Sequence, residues 1–412
     1  MERTELAEAL RSWRRPSRGP AASARDYIVE ADPDKFMARF AAAVAGTGEV
    51  FIGNPSWGEA ESDEVRELLD ESPGETGAPG WLMVPTGGTS GGVRFARHDS
   101  GTIAAAVKGM AQHFGLRQVN AVGVLPLYHV SGLMAWLRCA LTGGTYFNGN
   151  WRKIAEGRLP KLPETSDGWG LSLVPTQLER LMRDNRAIDW LRQFRVIFIG
   201  GAPTWNTLLD RAADAGLPLS PGYGMTETAA MVAALRPDEF LAGSRSCGTT
   251  LPHARIDFTL EGVIAVTGES VFRGFFPEQS EDRTFETEDI GELDALGRLR
   301  VFGRRDGVII TGGEKVHPSE VESVLHGTGE FADLLVFGAP HAEWGQQVVV
   351  AYPAGRAPDA ERVGRAVNAE LAPYKRPKLY VPVPNWPVAP NGKLRRAEIT
   401  HYVLEGMKPR PA

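Results

Sequence analysis

With 412 residues, 42% hydrophobic and 23% charged, the sequence has the composition of a soluble globular protein of two or three domains. A formal net charge of −6 excludes a chain that is basic throughout, and so argues against a nucleic-acid partner. Local basic clusters at Arg304–Arg305 and Lys393–Arg396 remain suited to small anions. The two cysteines, Cys139 and Cys247, are far apart and outside any CxxC pair, which excludes a disulfide framework or a thiolate zinc site and points to a reducing compartment.

The opening stretch MERTELAEALRSWRRPSRG has no apolar run of the kind a secretory signal needs, and no segment approaches the ~20 apolar residues that span a bilayer. The expectation is a cytoplasmic protein without a transmembrane segment. Residues 1–50 read as helices with polar linkers, and 57–80 as an acidic surface helix followed by a Gly/Pro-rich loop. From Trp81 short apolar runs alternate with helical stretches: WLMVP, a Gly-rich loop, then TIAAAVKGMAQHF; NAVGVLPL, then SGLMAWLRCAL; GLSLVP, then TQLERLMRDN; FRVIFIGGAP, then WNTLLDRAADAG. Strand, turn and helix in repetition predict an α/β fold with a largely parallel sheet, whose ligand-binding loops follow the strand C-termini. From Cys247 to Arg304 the runs RIDFTL, GVIAVTG and GRLRVFG predict a β-rich subdomain. After Asp306 a unit of about 100 residues begins, the size of a small α+β domain. The organisation expected is a large domain over 1–305 and a small mobile one over 306–412.

Several segments carry residue types suited to phosphate and nucleotide chemistry. Thr86, Gly87, Gly88, Thr89, Ser90 and Gly91 form a hydroxyl- and glycine-rich loop after an apolar strand; backbone N–H groups there can wrap a polyphosphate, with Arg94 adding charge. The spacing is not that of GxxxxGK[ST], and such a loop reads equally as a surface turn. In SPGYGMTET, Thr226 and Glu227 put a hydroxyl beside a carboxylate, ahead of a short apolar helix, which suits a phosphate oxygen and its Mg²⁺, or a helix cap. FIGGAP, with Gly200, Gly201 and Ala202, lets a flat ligand approach backbone closely, or is a plain strand-to-helix turn. Asp289 precedes a hairpin that Arg304 closes; a carboxylate there can hold two ribose hydroxyls, or be an exposed turn acid. Gly312 and Gly313 lie among charged residues in a mobile-looking loop, and Lys393 is presented on a Pro-Asn-Gly-Lys turn.

In order and spacing these segments resemble the acyl-adenylate-forming superfamily of acyl-CoA synthetases, luciferases and peptide-synthetase adenylation domains, over roughly residues 81–400. The resemblance implies ATP, Mg²⁺ and CoA as cofactor and co-substrates, and a carboxylic acid as the small-molecule partner. It makes 86–91 the phosphate loop, with Arg94 where the family usually has Lys, and Gly87 and Val93 where Ser and Pro are usual. It assigns Gly200, Gly201 and Ala202 to the adenine and acyl pocket, Tyr223, Gly224, Met225, Thr226 and Glu227 to the α-phosphate and Mg²⁺, and Asp289 with Arg304 to ribose. Asp306 becomes the interdomain hinge, Gly312 and Gly313 the lining of the pantetheine tunnel, and Lys393 the lysine of the adenylation step.

Within the superfamily, PTGGTSGGVRFARH, PLYHVSGLMAWLR, YGMTETAAMVAAL and FLAGSRSCGTTLPHARI resemble the o-succinylbenzoate–CoA ligases of menaquinone and phylloquinone biosynthesis, the cyanobacterial type in particular. That likeness implies a substrate-gating role for His129 and a contact from Arg138 to the succinyl carboxylate. Ser131, seven residues before Arg138, is expected on the same helix face. The alternative for Arg138 is a snorkelling surface side chain. Other readings are a ligase for a benzoate or medium-chain acid, transfer to a carrier protein, and a non-catalytic adenylate-binding protein. A homodimer is compatible with all of them. The region before Trp81 is short for the family, so a trimmed amino-terminal lobe is expected.

Overall fold

The computed structural model describes residues 1–13, 25–72, 80–86, 92–388 and 394–407. Its centre is a seven-stranded sheet in the order Thr249–Thr250, Ala230–Ala234, Leu219–Met225, Val196–Ile199, Gly170–Leu173, Ala121–Gly123, Tyr146–Asn148. The last five are mutually parallel, while Ala230–Ala234 runs against its neighbours. VIFI at 196–199 is buried at every position, as a strand covered on both faces must be. Helices Ser100–Phe114 and Val130–Thr142 pack on this sheet and on each other. The first begins where Asp99 accepts the Thr102 amide at 2.8 Å and ends at Gly115, whose φ of 61° the missing Cβ permits.

The parallel α/β expectation holds, but the amino-terminal fifty residues are not helices alone. Strands Arg25–Val29 and Glu49–Gly53 flank helix Pro33–Val44 and pair in parallel, leading to Leu82–Pro85. Phe95–His98 then returns antiparallel, so the loop after Leu82–Pro85 opens into a hairpin rather than straight into a helix. The buried Glu49 carboxylate links Arg25 at 2.9 Å and Arg97 at 3.4 Å across this sheet.

The β-rich subdomain is an antiparallel meander of Ala254–Phe258, Val263–Gly268, Thr284–Leu293 and Leu299–Arg304. Its longest member, TFETEDIGEL, goes unrecognised in the sequence because six of its ten residues are polar; pairing on both edges makes it a strand. The final unit folds Ile309–Thr311, Glu314–Val316, Leu335–His341, Gly345–Pro353 and Leu379–Val383 into one sheet, with helices Pro318–Gly327, Ala360–Glu370 and Arg396–Met407. Two of these elements, Leu379–Val383 and Arg396–Met407, lie in a stretch rich in proline. Val321, Leu325, Val336, Val350 and Val363 form its core. It touches the rest through the His326 ring, stacked on Trp205 with centroids 4.2 Å apart, and through Ser319, whose hydroxyl donates to the Phe302 carbonyl. Among the described residues no helix is long and apolar enough to cross a membrane.

Candidate active site

Two of the polar motifs follow adjacent parallel strands of the central sheet at their C-terminal ends, Gly200–Ala202 after Val196–Ile199 and Thr226–Glu227 after Leu219–Met225. Gly200 follows Val196–Ile199, and an added Cβ there would sit 3.4 Å from the Gly222 carbonyl of the neighbouring strand. Gly201 has φ of 79°, and Gly201 and Ala202 are exposed.

Leu219–Met225 delivers the Thr226–Glu227–Thr228 turn, which leads into the strand Ala230–Ala234 rather than into the apolar helix expected. The reason is the pairing of AMVAA with the preceding strand, which overrides its helical composition. Gly224 is obligatory at this reversal, because a Cβ would come 2.0 Å from the Ala230 carbonyl oxygen. Two consecutive non-glycine residues, Ala229 and Ala230, take positive φ of 50° and 79°. Each such residue costs on the order of 1 kcal/mol or more, and strain of this kind concentrates at functional turns.

The turn is held from three sides. His98 Nε2 lies 2.7 Å from the Thr226 carbonyl, Phe272 donates its amide to the Glu227 carbonyl at 2.8 Å, and the Thr228 hydroxyl donates to the Ala230 carbonyl at 2.7 Å. Burial lowers the His98 pKa to about 4, so a neutral ring donates to Thr226. His98 was not singled out in the sequence; nothing in ARHDS marks it.

Tyr223, on the same strand, donates to Asp289 at 2.7 Å. Asp289 and Arg304 are register partners across the Thr284–Leu293 and Leu299–Arg304 hairpin. The Arg304 guanidinium instead makes two 2.9 Å bonds to Asp306. That bond first of all holds the Asp306 pKa below the usual carboxylate value. Burial pushes Asp289 up, only partly offset by Tyr223 and Arg304.

Of the loop residues, Thr86 donates its amide to the Arg94 carbonyl at 2.9 Å, closing the hairpin base. The Arg94 guanidinium lies 4.4 Å from the Phe275 ring centroid. Gly87, Gly88, Thr89, Ser90 and Gly91 lie outside the described residues, as does Lys393. Val388 and Leu394, which bound the segment containing Lys393, form an antiparallel bridge. Gly312 and Gly313, with φ of 58° and 85°, are the two central residues of a tight hairpin whose flanking pair is Thr311 and Glu314.

His129 caps the amino end of Val130–Thr142 and packs against Tyr128, ring centroids 4.9 Å apart. Ser131 and Arg138 do not share an environment: Ser131 is exposed in the first turn, whereas Arg138 is 4% exposed. This also rules out a snorkelling Arg138, because the helix has passed between other elements by its third turn. Its Nε and Nη2 have no hydrogen-bond partner, and no described carboxylate pairs with it. Burial lowers its pKa to about 10, so the charge is retained at neutral pH.

The family model for AMP-binding enzymes matches residues 52–276, and that for the AMP-binding enzyme C-terminal domain matches 320–393. The chain belongs to the AMP-binding enzyme family. Among its relatives, the 2-succinylbenzoate–CoA ligase of Listeria monocytogenes is 30% identical over 282 residues, 67% of this chain and 60% of that protein. The enzyme of the same name from Geobacillus kaustophilus is 29% identical over 351 residues, 78% of this chain and 69% of its own. The chain thus matches only about 60% of the length of the Listeria relative. Solved structures of the same fold include the o-succinylbenzoate CoA synthetase of Bacillus subtilis in complex with its acyl-adenylate intermediate. Its TM-score is 0.78 at 22% identity, covering 99% of this chain and 92% of that one. ATP-bound MatB from Rhodopseudomonas palustris gives 0.77 at 20% identity, covering 98% and 93%.

Proposed function

We propose that this chain is an AMP-forming acid–CoA ligase acting on 2-succinylbenzoate. The observation that carries the choice of acid is Arg138, a buried guanidinium with unpaired donors. A buried cation without a counter-charge costs several kcal/mol, so its retention argues for an anion supplied from outside the chain. A distal carboxylate on the substrate meets that need, and the names of the relatives favour the same acid.

The activation step joins a carboxylate oxygen to the α-phosphorus of ATP and expels pyrophosphate. The Thr226 hydroxyl is proposed to orient the α-phosphate, its backbone fixed by His98. Asp289 is proposed to accept from the ribose hydroxyls, with Arg304 beside it. Gly200, Gly201, Ala202, Tyr223, Gly224 and Met225 form the walls for the base and the acyl group. Thr86 to Gly91 and Arg94 are proposed to hold the outer phosphates, Lys393 to offset charge on the reacting oxygens, and His129 and Ser131 to border the acid's entry. Among the described residues no three metal-binding side chains converge. The cation is proposed to take Glu227 together with phosphate oxygens and water, the all-oxygen set Mg²⁺ prefers. Such an ion supplies charge neutralisation at the phosphates.

In the second step the CoA thiolate attacks the acyl carbon and AMP leaves. For this the unit 306–412 is proposed to turn about Asp306, withdrawing Lys393 and bringing Gly312–Gly313 to the site. ATP and CoA are cytoplasmic metabolites, which favours that compartment. A homodimer is tested by light scattering.

The decisive experiment is AMP formation with ATP, Mg²⁺ and CoA against 2-succinylbenzoate, benzoate, 4-coumarate and octanoate. Preference for the dicarboxylic acid, lost in Arg138→Ala, is expected. Turnover of another acid alone would remove the assignment while leaving the family. AMP release without CoA dependence would favour transfer to another acceptor.

A further inference from the structure

Two adjoining strips of chain grip the turn Thr226–Thr228, and each also adjoins the hairpin that brackets residues 86–91. The first is the strand Phe95–His98, which pairs with Leu82–Pro85 to form that hairpin. It ends at the buried His98, whose Nε2 lies 2.7 Å from the Thr226 carbonyl oxygen. The second strip is residues 272–276. Phe272 donates its amide to the Glu227 carbonyl at 2.8 Å, and the Phe275 ring centroid lies 4.4 Å from the Arg94 guanidinium. The strips are bonded side by side. Arg273 donates to the Arg97 carbonyl at 2.8 Å, Arg97 to that of Gly274 at 3.0 Å, and Phe276 to that of Phe95 at 2.9 Å. The Arg273 guanidinium adds an ion pair to Asp99 at 2.8 Å.

The neighbours of the His98 ring select one tautomer. A carbonyl oxygen accepts and cannot donate, so Nε2 carries the proton. In the neutral ring Nδ1 is then an acceptor, and the Thr102 hydroxyl lies 3.1 Å from it. Thr102 is fixed in its turn at the start of the helix Ser100–Phe114. Its amide donates to the Asp99 carboxylate at 2.8 Å, and its hydroxyl accepts from the Asp99 amide at 3.1 Å. The hydroxyl proton has a second acceptor, the Asp99 carbonyl, at 2.9 Å. Both ring nitrogens of His98 thus have a partner, and turning the ring would forfeit both contacts.

We propose that His98 is a positioning residue for the adenylation step: as its Nε2–H tautomer it registers the Thr226 turn against the phosphate-loop hairpin, so that the α-phosphate and the outer phosphates of one ATP meet their contacts at a set spacing. His98 touches no substrate and acts through the Thr226 backbone. The inference rests on the reading of Thr226 and of residues 86–91 as phosphate contacts, and adds what holds the two in step. Displacement at phosphorus needs the entering carboxylate and the leaving pyrophosphate in line, so a small shift of one contact against the other is costly.

The test compares His98→Gln, whose amide nitrogen falls near the place of Nε2 and keeps a donor, with His98→Asn, which is too short to reach Thr226. Exchange of labelled pyrophosphate into ATP is followed with the acid that the wild type turns over. Its kcat is expected to fall about ten- to a hundredfold in the Asn variant and to stay within about threefold in the Gln variant, while the KM for the acid holds in both. An enzyme that is merely destabilised keeps its choice between the two diastereomers of ATP with sulfur on the α-phosphorus. A misaligned turn does not, so the wild-type ratio of kcat/KM for the two should shrink by about threefold or more in the Asn variant and persist in the Gln variant. A third readout needs no turnover: in ¹⁵N-histidine-labelled wild type at neutral pH, the ring lost in His98→Gln should show a protonated Nε2 and a bare Nδ1. Equal kcat loss in both variants with the diastereomer ratio unchanged, or the opposite tautomer, would overturn the role of His98 and leave the assigned function standing. If the wild type exchanges no pyrophosphate with any acid of the panel, the ligase reading itself fails.

Discussion

Tyr223 and Asp289, 66 positions apart, are joined by a 2.7 Å hydrogen bond that ties the central sheet to the β-meander. Asp289 is drawn in this way to the seam between two sheets, while its register partner Arg304 turns toward Asp306. The carboxylate that is proposed to meet ribose is therefore fixed by a phenol, and the guanidinium beside it is tied to the proposed hinge. Removing the phenol in Tyr223→Phe should cost about 1 kcal/mol, since a half-buried carboxylate loses a donor. The KM for ATP should rise several-fold while that for the acid changes less. Thermal denaturation and paired KM measurements check this. Equal effects on both substrates would contradict a nucleotide-side role.

Ala229 and Ala230 follow Thr226–Glu227–Thr228 with positive φ, a conformation that glycine adopts without steric cost. Replacement by glycine usually loses about 0.5–1 kcal/mol through the unfolded chain. Here the relief of strain should cancel that, so Ala229→Gly is expected to be neutral or slightly stabilising. Ala229→Val, at a site 2% exposed, should lose roughly 2–3 kcal/mol, from strain and overpacking together. Urea unfolding of the two variants measures this. A clear loss in the glycine variant would mean the turn is unstrained.

His98, His253 and His326 each titrate near 4 in the folded chain, all lowered first by burial from an ordinary 6.5. Unfolded, they take up protons as pH falls through 6.5; folded, they resist until about 4. Neutral burial thus contributes stability that is intact above about pH 6.5 and lost progressively between there and about 4, on the order of 2–3 kcal/mol per group at the acid end. His326→Phe keeps a ring against Trp205 and should flatten this acid limb. Urea midpoints from pH 7 to 4.5 test it; parallel curves for wild type and variant would refute the histidine origin.

Arg138 presents a trade between stability and recognition. Its guanidinium is buried, charged and unpaired, so Arg138→Met, similar in length and apolar, should raise stability by about 1–4 kcal/mol. The same change should abolish preference for a dicarboxylic acid. A variant that is both less stable and unaltered in selectivity would show that Arg138 has a counter-charge within the fold.

The parallel sheet was legible because its strands are buried on both faces and therefore continuous in apolar residues, as in VIFI at 196–199. The Asp289–Arg304 pairing was legible from the hairpin pattern between them. The amino-terminal strands were not, because RDYIV mixes charge into a five-residue strand and EVFIG is too short to separate from a helix by periodicity. AMVAA after Glu227 has helix-forming composition and becomes a strand through its pairing alone. His98 escaped notice because it acts through a contact with a distant element, the Thr226 carbonyl.

The proposed rotation about Asp306 separates the two half-reactions, and two sites report on it from opposite sides. Lys393 serves only the step in which phosphate charge builds, so Lys393→Ala should slow acyl-adenylate formation by about two orders of magnitude or more. Thioester formation from supplied acyl-adenylate should be nearly unchanged. Gly312 and Gly313 both require positive φ in a two-residue turn, which an alanine adopts only at a cost of about 1 kcal/mol or more. Gly313→Ala, where a Cβ meets nothing within 4 Å, changes the backbone without a clash and should slow the thioester step while sparing adenylation. Pyrophosphate release and thioester formation, followed separately in both variants, decide the matter. Equal loss of both steps in either variant would mean that one domain arrangement carries the whole reaction.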